Sequence, residues 1–519
     1  MAQGRLDDAL DELNRALIYG AHNQKALALK AAVLRMMGRK DAAMEVCKEA
    51  LNTDLFNYGC RYEMYLLTGD QKVLDEMKEL LQGLAKRSAL GTLCSAKNYD
   101  ELALDYAAAG LSDEARAIWQ LAEKAGAVSP MTYYYQGQWE KAEQTCSDYC
   151  FPNRAEDVIA LEAAKRENPM GAKAPYYLGC LYYAARQYDL AIENWELSAK
   201  LDPQFPTVWR NLALARFNKQ NRQEEALVYM ERAFHLDEDD ERVLMELDQL
   251  YKRMQKPHEE RLMFLQQYPQ LTERRDDLVL EEITLLNQTG HYKEAMQKLD
   301  SHKFHPWEGG EGKVPTQYQI CRVELAKQAI AQQHYGEAKR LLEQCLDYPH
   351  HLGEGKLYGA QENDFYYFLG CAYDALGQTD KARECWEEAT KGPQEPAAAM
   401  YYNDAKPDKI FYQGLALIKL GRKGEANGRF YKLVNYGKQH IFEHITMDYF
   451  AVSLPDLLIW EDSLDVKNRI HCLYMLALGY YGLGDREHAE RYLKEVEQMD
   501  RNHYGTQALR SLIELESIA

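Results

Sequence analysis

The stretch PYYLGCLYYAARQYDLAIENWELSAKLDP, residues 175–203, decides the fold. Two antiparallel helices pack closely only where small residues stand at their crossing, and this stretch places Gly179 and Ala191 there. Tyr182 and Trp195 supply bulky rings to fill the seam, and Pro203 follows the second helix, where a helix cannot continue through it. The stretch therefore predicts one helical hairpin.

A second segment, YYFLGCAYDALGQTDKARECWEEATKGP at residues 366–393, repeats this arrangement. Both segments resemble the tetratricopeptide repeat, a helix pair of about 34 residues with Leu-Gly and Tyr on its first helix and Ala, an aromatic and Ala on its second. The matching positions are Leu178, Gly179, Tyr182, Ala191, Trp195, Leu369, Gly370, Tyr373, Gly377, Ala382, Trp386 and Ala389. The resemblance implies an all-α fold, a right-handed superhelical solenoid of antiparallel helix pairs.

Weaker copies of the pattern run along the whole chain. Roughly nine to eleven hairpins result, depending on how the degenerate stretches 51–95, 126–170 and 241–275 are counted. The pattern divides the chain into partly degenerate N-terminal repeats, central repeats, repeats with long Gly-, His- and Glu-containing loops, and a connector with a final repeat and capping helix; the boundaries are 1–170, 171–300, 301–437 and 438–519. We expect helix content far above the globular average and essentially no sheet.

The two ends of the chain differ from a regular hairpin. Residues 4–17, GRLDDALDELNRAL, resemble a second helix whose first helix is missing, so we expect the chain to begin inside a longer natural protein. The C-terminal run TQALRSLIELESIA, residues 506–519, is predicted to be a capping helix.

Composition excludes several classes of partner. The formal net charge of −19 argues against a nucleic acid or an anionic membrane. No stretch approaches the roughly 18 consecutive apolar residues that a membrane helix needs. The 11 cysteines follow no disulfide or zinc spacing, which indicates buried thiols in a reducing compartment. We therefore predict a cytoplasmic protein without a metal or another cofactor.

Two loops interrupt the repeat at equivalent places. They are HKFHPWEGGEGKVPTQ, residues 302–317, and DYPHHLGEGKLYGAQEND, residues 347–364. Successive loops of a solenoid emerge on one edge, so the two should be neighbours. One interpretation is a shared polar site built from His305, Trp307, Glu308, Glu311, His351 and Glu354. The other is two ordinary loops with turn glycines. Both loops are poor in apolar residues, so we expect an exposed Trp307 and little anchoring by the core.

Residues 440–468 form a further interruption. His440, Glu443 and His444 reproduce the H-x-x-E-H spacing of one metallopeptidase class, and both histidines would share a face if the segment were helical. That class needs a third carboxylate and another architecture, so a helix face near a partner is the better interpretation. The following SLPDLLIWEDSL, residues 453–464, with its apolar cluster ending at Trp460, is typical of a docking segment or a packed connector.

A second resemblance rests on three motifs in the C-terminal half. These are HPWEGGEGKV (305–314), HLGEGK (351–356) and DYFAVSLPDLLIWEDSL (448–464). Together they resemble the C-terminal half of large bacterial proteins, in which an N-terminal domain of unknown function with a carbohydrate-enzyme-like β-sandwich precedes tetratricopeptide repeats. The resemblance implies that this chain lacks the β-rich part, and it assigns no catalytic residue.

The first helices of the repeats are expected to line a binding face. Counting from the Leu-Gly positions places Tyr176, Tyr183, Tyr367, Tyr474 and Tyr481 there. Such rings suit an extended peptide, a helix or a sugar, although they could equally pack between neighbouring helices. No convincing catalytic set accompanies them. The sequence thus predicts a non-catalytic scaffold for a protein or for the chain's own missing N-terminal domain; the alternative is the repeat portion of a carbohydrate-active protein.

Overall fold

The computed structural model describes the chain outside residues 2, 83–90, 308, 399–403, 447–458 and 519. All regular structure in the described residues is helical: 28 α-helices and a short 3-10 helix, His350–Leu352, with no strand. The expected all-α fold of antiparallel helix pairs is confirmed.

The helices divide between two compact units, Met1–Val208 and Trp209–Ala519. Unit 1 contains α1 Leu6–Tyr19, α2 Gln24–Met36, α3 Lys40–Thr53, α4 Tyr58–Thr68, α5 Gln71–Gln82, α6 Gly91–Ala108, α7 Ser112–Lys124, α8 Pro130–Tyr134, α9 Trp139–Gln144, α10 Ala155–Glu167, α11 Lys173–Ala184 and α12 Tyr188–Leu201. The unit boundary falls within α13, Pro206–Gln220.

Unit 2 continues with α14 Gln223–Leu236, α15 Glu241–Arg253, α16 His258–Leu265, α17 Pro269–Thr272, α18 Asp276–Gln288, α19 Tyr292–Ser301, α20 Lys313–Ala331, α21 Tyr335–Cys345, α22 Asn363–Ala375, α23 Thr379–Ala389, α24 Pro407–Lys419, α25 Lys423–His440, α26 Leu464–Gly482, α27 Arg486–Met499 and α28 Tyr504–Ile518. The described residues of the degenerate stretches therefore contain helices as well. The four-part division made from the sequence stays a prediction.

The paired helices cross at the small residues that the sequence places there. A Cβ atom on Gly179 would overlap the indole of Trp195, and one on Gly370 would overlap that of Trp386. Each indole also bonds to the opposite helix: Trp195 Nε1 donates to Tyr176 O at 3.1 Å, and Trp386 Nε1 donates to Tyr367 O at 3.3 Å. Glycine thus lets the helices approach, and tryptophan fills and fastens the seam.

The turns between paired helices require a left-handed residue. Gly377 occupies this place between α22 and α23 with φ of 74°. Arg186 occupies the same place between α11 and α12 with φ of 60°. This left-handed conformation is unfavourable in free energy for any residue that has a side chain. Both hairpins therefore close in the same way, although only one uses glycine.

Both ends of the chain differ from a regular hairpin in the structure as well. Helix α1 packs on α2 without burying any residue, and Ile18 and Tyr19 are 78% and 94% exposed. At the other end, α28 contacts α27 and also turns back against α26 and α20. The predicted capping helix therefore does more than cover the last hairpin: it lies against the inner helices of unit 2.

No helix in the described parts of the chain combines the length and apolarity needed to cross a bilayer.

Candidate functional site

The two interrupting loops contact each other, as their equivalent places in the repeat predict. The backbone N–H of Phe304 donates to the carbonyl of His351 at 2.8 Å, and the N–H of Gly312 donates to Glu354 Oε2 at 2.8 Å. Both loops are shorter than the sequence suggests, because α20 already begins at Lys313 and α22 at Asn363. One carboxylate and one backbone pair thus link the loops.

The loops are anchored in the core, and the expectation that core packing could not hold them is wrong. Phe304 and Leu352 are 2% and 1% exposed and belong to the apolar core that α15 and α18 share. Trp307 is half-buried against the same core, not exposed, and its indole lies so close to Gly310 that a Cβ there would overlap it. One buried aromatic or aliphatic residue in each loop is enough to anchor that loop in the core. The polar composition of the loops gave no indication of this anchoring.

The polar residues of the predicted loop site do not converge on one point. His305 Nδ1 lies 3.1 Å from Asp276 Oδ2, whereas His351 Nε2 lies 4.0 Å from Asp300 Oδ1. Burial raises the pKa of Glu354; the Gly312 N–H opposes this shift, and the nearby Glu311 adds to it. Glu308 lies outside the described residues. The structure brings Glu311 and Glu354 together and directs the histidines elsewhere.

The H-x-x-E-H segment does not form one helical face. Helix α25 ends at His440, so His444 lies beyond it, and the expected shared face is absent. His440 Nδ1 lies 2.7 Å from Glu443, whereas His444 Nδ1 lies 2.9 Å from Asp465. Across the described residues, no three His, Cys, Asp or Glu side chains are grouped as a metal would require.

The tyrosines predicted to line a binding face pack in two different ways. In unit 1, Tyr176 and Tyr183 are half-buried; Tyr176 packs on Phe205 at 4.8 Å and Tyr183 on Trp195 at 5.3 Å between ring centroids. They join neighbouring helices, which is the alternative that the sequence left open.

In unit 2 the predicted tyrosines are buried, and the expectation that they face a partner is wrong. Tyr367, Tyr474 and Tyr481 are 8%, 5% and 5% exposed. The C-terminal segment covers two of them: Tyr481 donates a hydrogen bond to Glu516 at 2.5 Å, and the ring of Tyr474 lies 4.6 Å from that of His503. These rings do lie on the first helices of their repeats, as predicted. However, α28 and the residue before it fill the position where a partner was expected to bind.

An open groove lies instead in unit 1. Two adjoining cavities of about 590 and 190 Å³ share Lys25, Leu29 and Asp105 as lining residues. We call them together the unit 1 groove. Its lining residues come from the N-terminal segment, α1, α2, the segment before α4, α4 and α6; they include Arg5, Asp8, Glu12, Leu13, Lys25, Ala28, Leu29, Asp54, Phe56, Tyr58, Glu101, Leu102, Asp105 and Tyr106. Sequence reasoning missed this surface because only the recognisable Leu-Gly positions were used to place a binding face, and none of them lies in the groove.

The unit 1 groove combines an apolar floor with an acidic rim. Leu13, Leu29 and Tyr58 are only half-buried, and Phe56 is 59% exposed. Five carboxylates line the groove against two basic side chains. One of the two, Lys25, is held by Asp105 at 2.9 Å. Asp8, Glu12 and Glu101 are likewise paired, with Arg5, Arg15 and Arg154. The groove is therefore apolar at its base and lined at its edge by an excess of carboxylates, most of which are ion-paired.

Several solved structures that the chain is similar to are tetratricopeptide-repeat proteins. The protein YrrB, described as having an unusual peptide-binding site, is 14% identical over 45% of this chain and 91% of its own, with a TM-score of 0.25. A repeat protein from Parabacteroides merdae is 15% identical over 56% of this chain and 96% of its own, with a TM-score of 0.26. The repeat domain of P58(IPK) is 13% identical over 92% of this chain and 94% of its own, with a TM-score of 0.25.

Family models match the chain directly in four segments. Residues 1–58 and 176–241 match one tetratricopeptide-repeat model, and residues 364–391 and 470–503 match another. The matched segments make up well under half of the chain and fall on helix pairs of both units. The chain therefore contains tetratricopeptide repeats.

Proposed function

We propose that the chain is a non-catalytic scaffold that binds a protein partner in the unit 1 groove. Stacked repeats present extended concave surfaces of this kind for binding. The observation that carries the proposal is the contrast between the two units: the groove in unit 1 is open and has exposed apolar side chains, whereas α28 covers the inner helices of unit 2.

The lining of the groove defines the chemistry of the partner. Half-buried Leu13, Leu29 and Tyr58 favour an apolar anchor, since transferring apolar surface from water stabilises a complex. The acidic rim favours Lys or Arg beside that anchor and disfavours an acidic segment. An amphipathic helix or extended peptide with basic residues fits both demands.

A peptide-display selection on the full chain tests the proposal. We expect enriched peptides that combine apolar with basic residues, and binding that weakens as salt is raised, because exposed charges are screened. Leu29→Glu should weaken the binding of these peptides at least about tenfold, as measured by fluorescence anisotropy, because it places a charge on the apolar floor.

Ile159→Glu is the matched control. Ile159 is 71% exposed on α10 of the same unit and does not line the groove, so the same chemical change there should leave peptide affinity unchanged. Selection of acidic peptides, or equal affinity of wild type and Leu29→Glu, would contradict the proposal.

The carbohydrate alternative has less structural support. Sugar rings stack on open aromatic faces, but Trp307 is half-buried and Gly310 lies against its indole. A domain encoded before residue 1 remains a further candidate occupant of the groove, as the resemblance to the large bacterial proteins implies. The reading frame upstream of Met1 tests that candidate directly.

A further inference from the structure

A separate cavity lies inside unit 2, between the inner helices and the C-terminal segment. Its volume is about 220 Å³, and its walls come mainly from α20, α22, α24, α26 and the beginning of α28. Lys406, which also lines it, is exposed, so the cavity reaches the surface there. We call it the unit 2 cavity.

The charged side chains in the wall of the unit 2 cavity already have counter-charges. Lys327 Nζ lies 2.7 Å from Glu324 Oε1, and Lys409 pairs with Asp364. Asp408 is only partly buried and approaches Lys409 at 3.8 Å. The exposed lysine at the opening adds little, because a solvated ion pair is weak. The interior of the cavity therefore favours a neutral ligand.

Tyr474 and His503 place polar groups in the wall that need a partner. Tyr474 is 5% exposed, and its hydroxyl bonds to none of the residues that the structure describes. The buried Nδ1 of His503 is also without a hydrogen bond to those residues. Because buried polar groups in folded proteins are nearly always hydrogen-bonded, this part of the wall is suited to a polar occupant.

These two groups lie side by side. A Cβ atom on Gly505 would lie 2.6 Å from Tyr474 Oη and 2.8 Å from His503 Cε1, and the centres of the two rings are 4.6 Å apart. Burial lowers the pKa of the His503 imidazole and raises the pKa of the Tyr474 hydroxyl well above its usual range, so both groups are neutral at pH 7.

A hydroxyl group on the ligand satisfies both neutral groups together. A neutral imidazole nitrogen accepts or donates one hydrogen bond, and a tyrosine hydroxyl can do either. A ligand hydroxyl donates one hydrogen bond and accepts another, so it can bond to His503 Nδ1 and to Tyr474 Oη at the same time.

The remaining lining and the volume restrict the body of the ligand. Phe365, Phe411 and Tyr412 give the unit 2 cavity aromatic walls, which favour an aromatic ring. An engineered cavity of about 150 Å³ accommodates benzene, so 220 Å³ suits a molecule of roughly nine non-hydrogen atoms. A peptide or a nucleotide is too large.

We propose that the unit 2 cavity binds a small neutral phenol. Its hydroxyl bonds to His503 Nδ1 and Tyr474 Oη, and its ring lies among Phe365, Phe411 and Tyr412. Because His503 belongs to the C-terminal segment and Tyr474 to α26, the bound phenol also fastens that segment to the inner helices. This site is independent of the unit 1 groove.

Titration calorimetry on the full chain, with p-cresol and 4-ethylphenol as probes, tests the proposal. We expect at least one of them to bind in a 1:1 ratio with Kd below about 1 mM, the weak end of specific affinities. Hydrogen exchange in α28 should slow when the phenol is bound.

Two analogues of p-cresol separate the contributions of shape and charge. In p-xylene a methyl group replaces the hydroxyl, and p-toluate carries a negative charge; each should bind at least about tenfold more weakly than p-cresol, because one leaves the polar groups unpaired and the other buries a charge. Equal binding of p-xylene, or tighter binding of p-toluate, would overturn the proposal. Failure of both phenols to bind saturably would do the same and indicate a cavity filled by water only.

Variants that keep the rings test the two polar groups. Tyr474→Phe and His503→Phe should each weaken p-cresol binding at least about tenfold while leaving the circular dichroism spectrum unchanged. The control variants Tyr431→Phe and His334→Phe make the same changes at exposed positions away from the cavity and should bind like wild type. Equal binding by the site and control variants would contradict the proposal, and the analogue series on wild type decides even where a variant fails to fold.

Discussion

At the scale of single residues, the pairing of Gly370 with Trp386 shows how the repeat is built. The glycine is buried where a Cβ atom would overlap the indole, so its lack of a side chain is a packing requirement. Gly428, in the middle of α25, is also a helical glycine, but a Cβ atom there would meet only open space. The two glycines therefore serve different purposes, although both lie in helices.

We expect Gly370→Ala to destabilise unit 2 by about 1–3 kcal/mol, because an overpacked crossing must shift. Gly428→Ala should stabilise it by about 0.5–1 kcal/mol, since alanine is the better helix former at an exposed position. Urea denaturation followed by circular dichroism measures both. Equal effects of the two variants would show that the crossing tolerates a methyl group and would contradict this account of the repeat.

Asp100 is a residue whose charge opposes folding. It is 2% exposed, accepts a hydrogen bond from Thr132 Oγ1 at 3.1 Å, and burial raises its pKa to about 7. Because the folded pKa lies above the unfolded value, the stability linked to this proton is fully present below about pH 4 and is lost as pH rises through 7.

We therefore expect wild type to lose about 2–3 kcal/mol relative to Asp100→Asn between pH 5 and pH 8. Thermal denaturation of both proteins across that range measures the difference. The exposed Asp113, paired with Arg116 on α7, provides the control: Asp113→Asn should show no such trend. A constant difference between wild type and Asp100→Asn would mean that Asp100 is ionised in the folded protein.

At the scale of elements, Trp460 is the main anchor of the described residues that lead from the connector into α26. Trp460 is fully buried, its Nε1 donates to the carbonyl of Glu246 at 2.8 Å, and its ring lies 5.1 Å from that of Phe217. Asn218 bonds to the backbone on both sides of it, at Ile459 O and Glu461 N. The described part of the segment, from residue 459 onward, is thus packed, which is one of the two roles that its sequence predicts; residues 453–458 lie outside the described residues.

Trp460→Ala should destabilise unit 2 by about 3–5 kcal/mol, because it leaves a cavity and an unpaired carbonyl. Phe442, 85% exposed in the same connector, is the matched control, and Phe442→Ala should stay within about 0.5 kcal/mol of wild type. Thermal unfolding of the two variants decides between a connector that stabilises the unit and one that merely links two helices.

Local sequence patterns predicted where the helices lie far better than they predicted which helices pack together in the fold. Gly179 and Trp195 belong to one hairpin, so their spacing in the sequence is enough to predict their contact. Tyr504 and Glu324 also form a hydrogen bond, but 180 residues separate them and neither stands in a distinctive pattern. The C-terminal run was recognisable as a helix, whereas its position over the inner tyrosines depends on such distant contacts, and the candidate site in unit 2 changed accordingly.

At the scale of the whole molecule, the two units differ in how far their contacts reach along the chain. A regular solenoid is stabilised by contacts between neighbouring repeats, so damage to one repeat stays local. In unit 2, Asn502 accepts a hydrogen bond from Arg261 and donates one to the carbonyl of Lys252, and Lys327 donates to the carbonyl of Ala508. The C-terminal segment thus ties the end of unit 2 to helices near its beginning.

Removing residues 501–519 should therefore destabilise helices far from the cut. Arg261 and Lys327 are 0% and 3% exposed and would each lose a partner, so we expect faster hydrogen exchange in α15, α16 and α20 as well as in α26 and α27. Removing residues 1–19 instead deletes α1, which buries no residue, and should speed exchange only in α2 and its neighbours. If the C-terminal truncation affected α26 and α27 alone, unit 2 would behave as an open solenoid, and its inner face would be as available to a partner as the unit 1 groove.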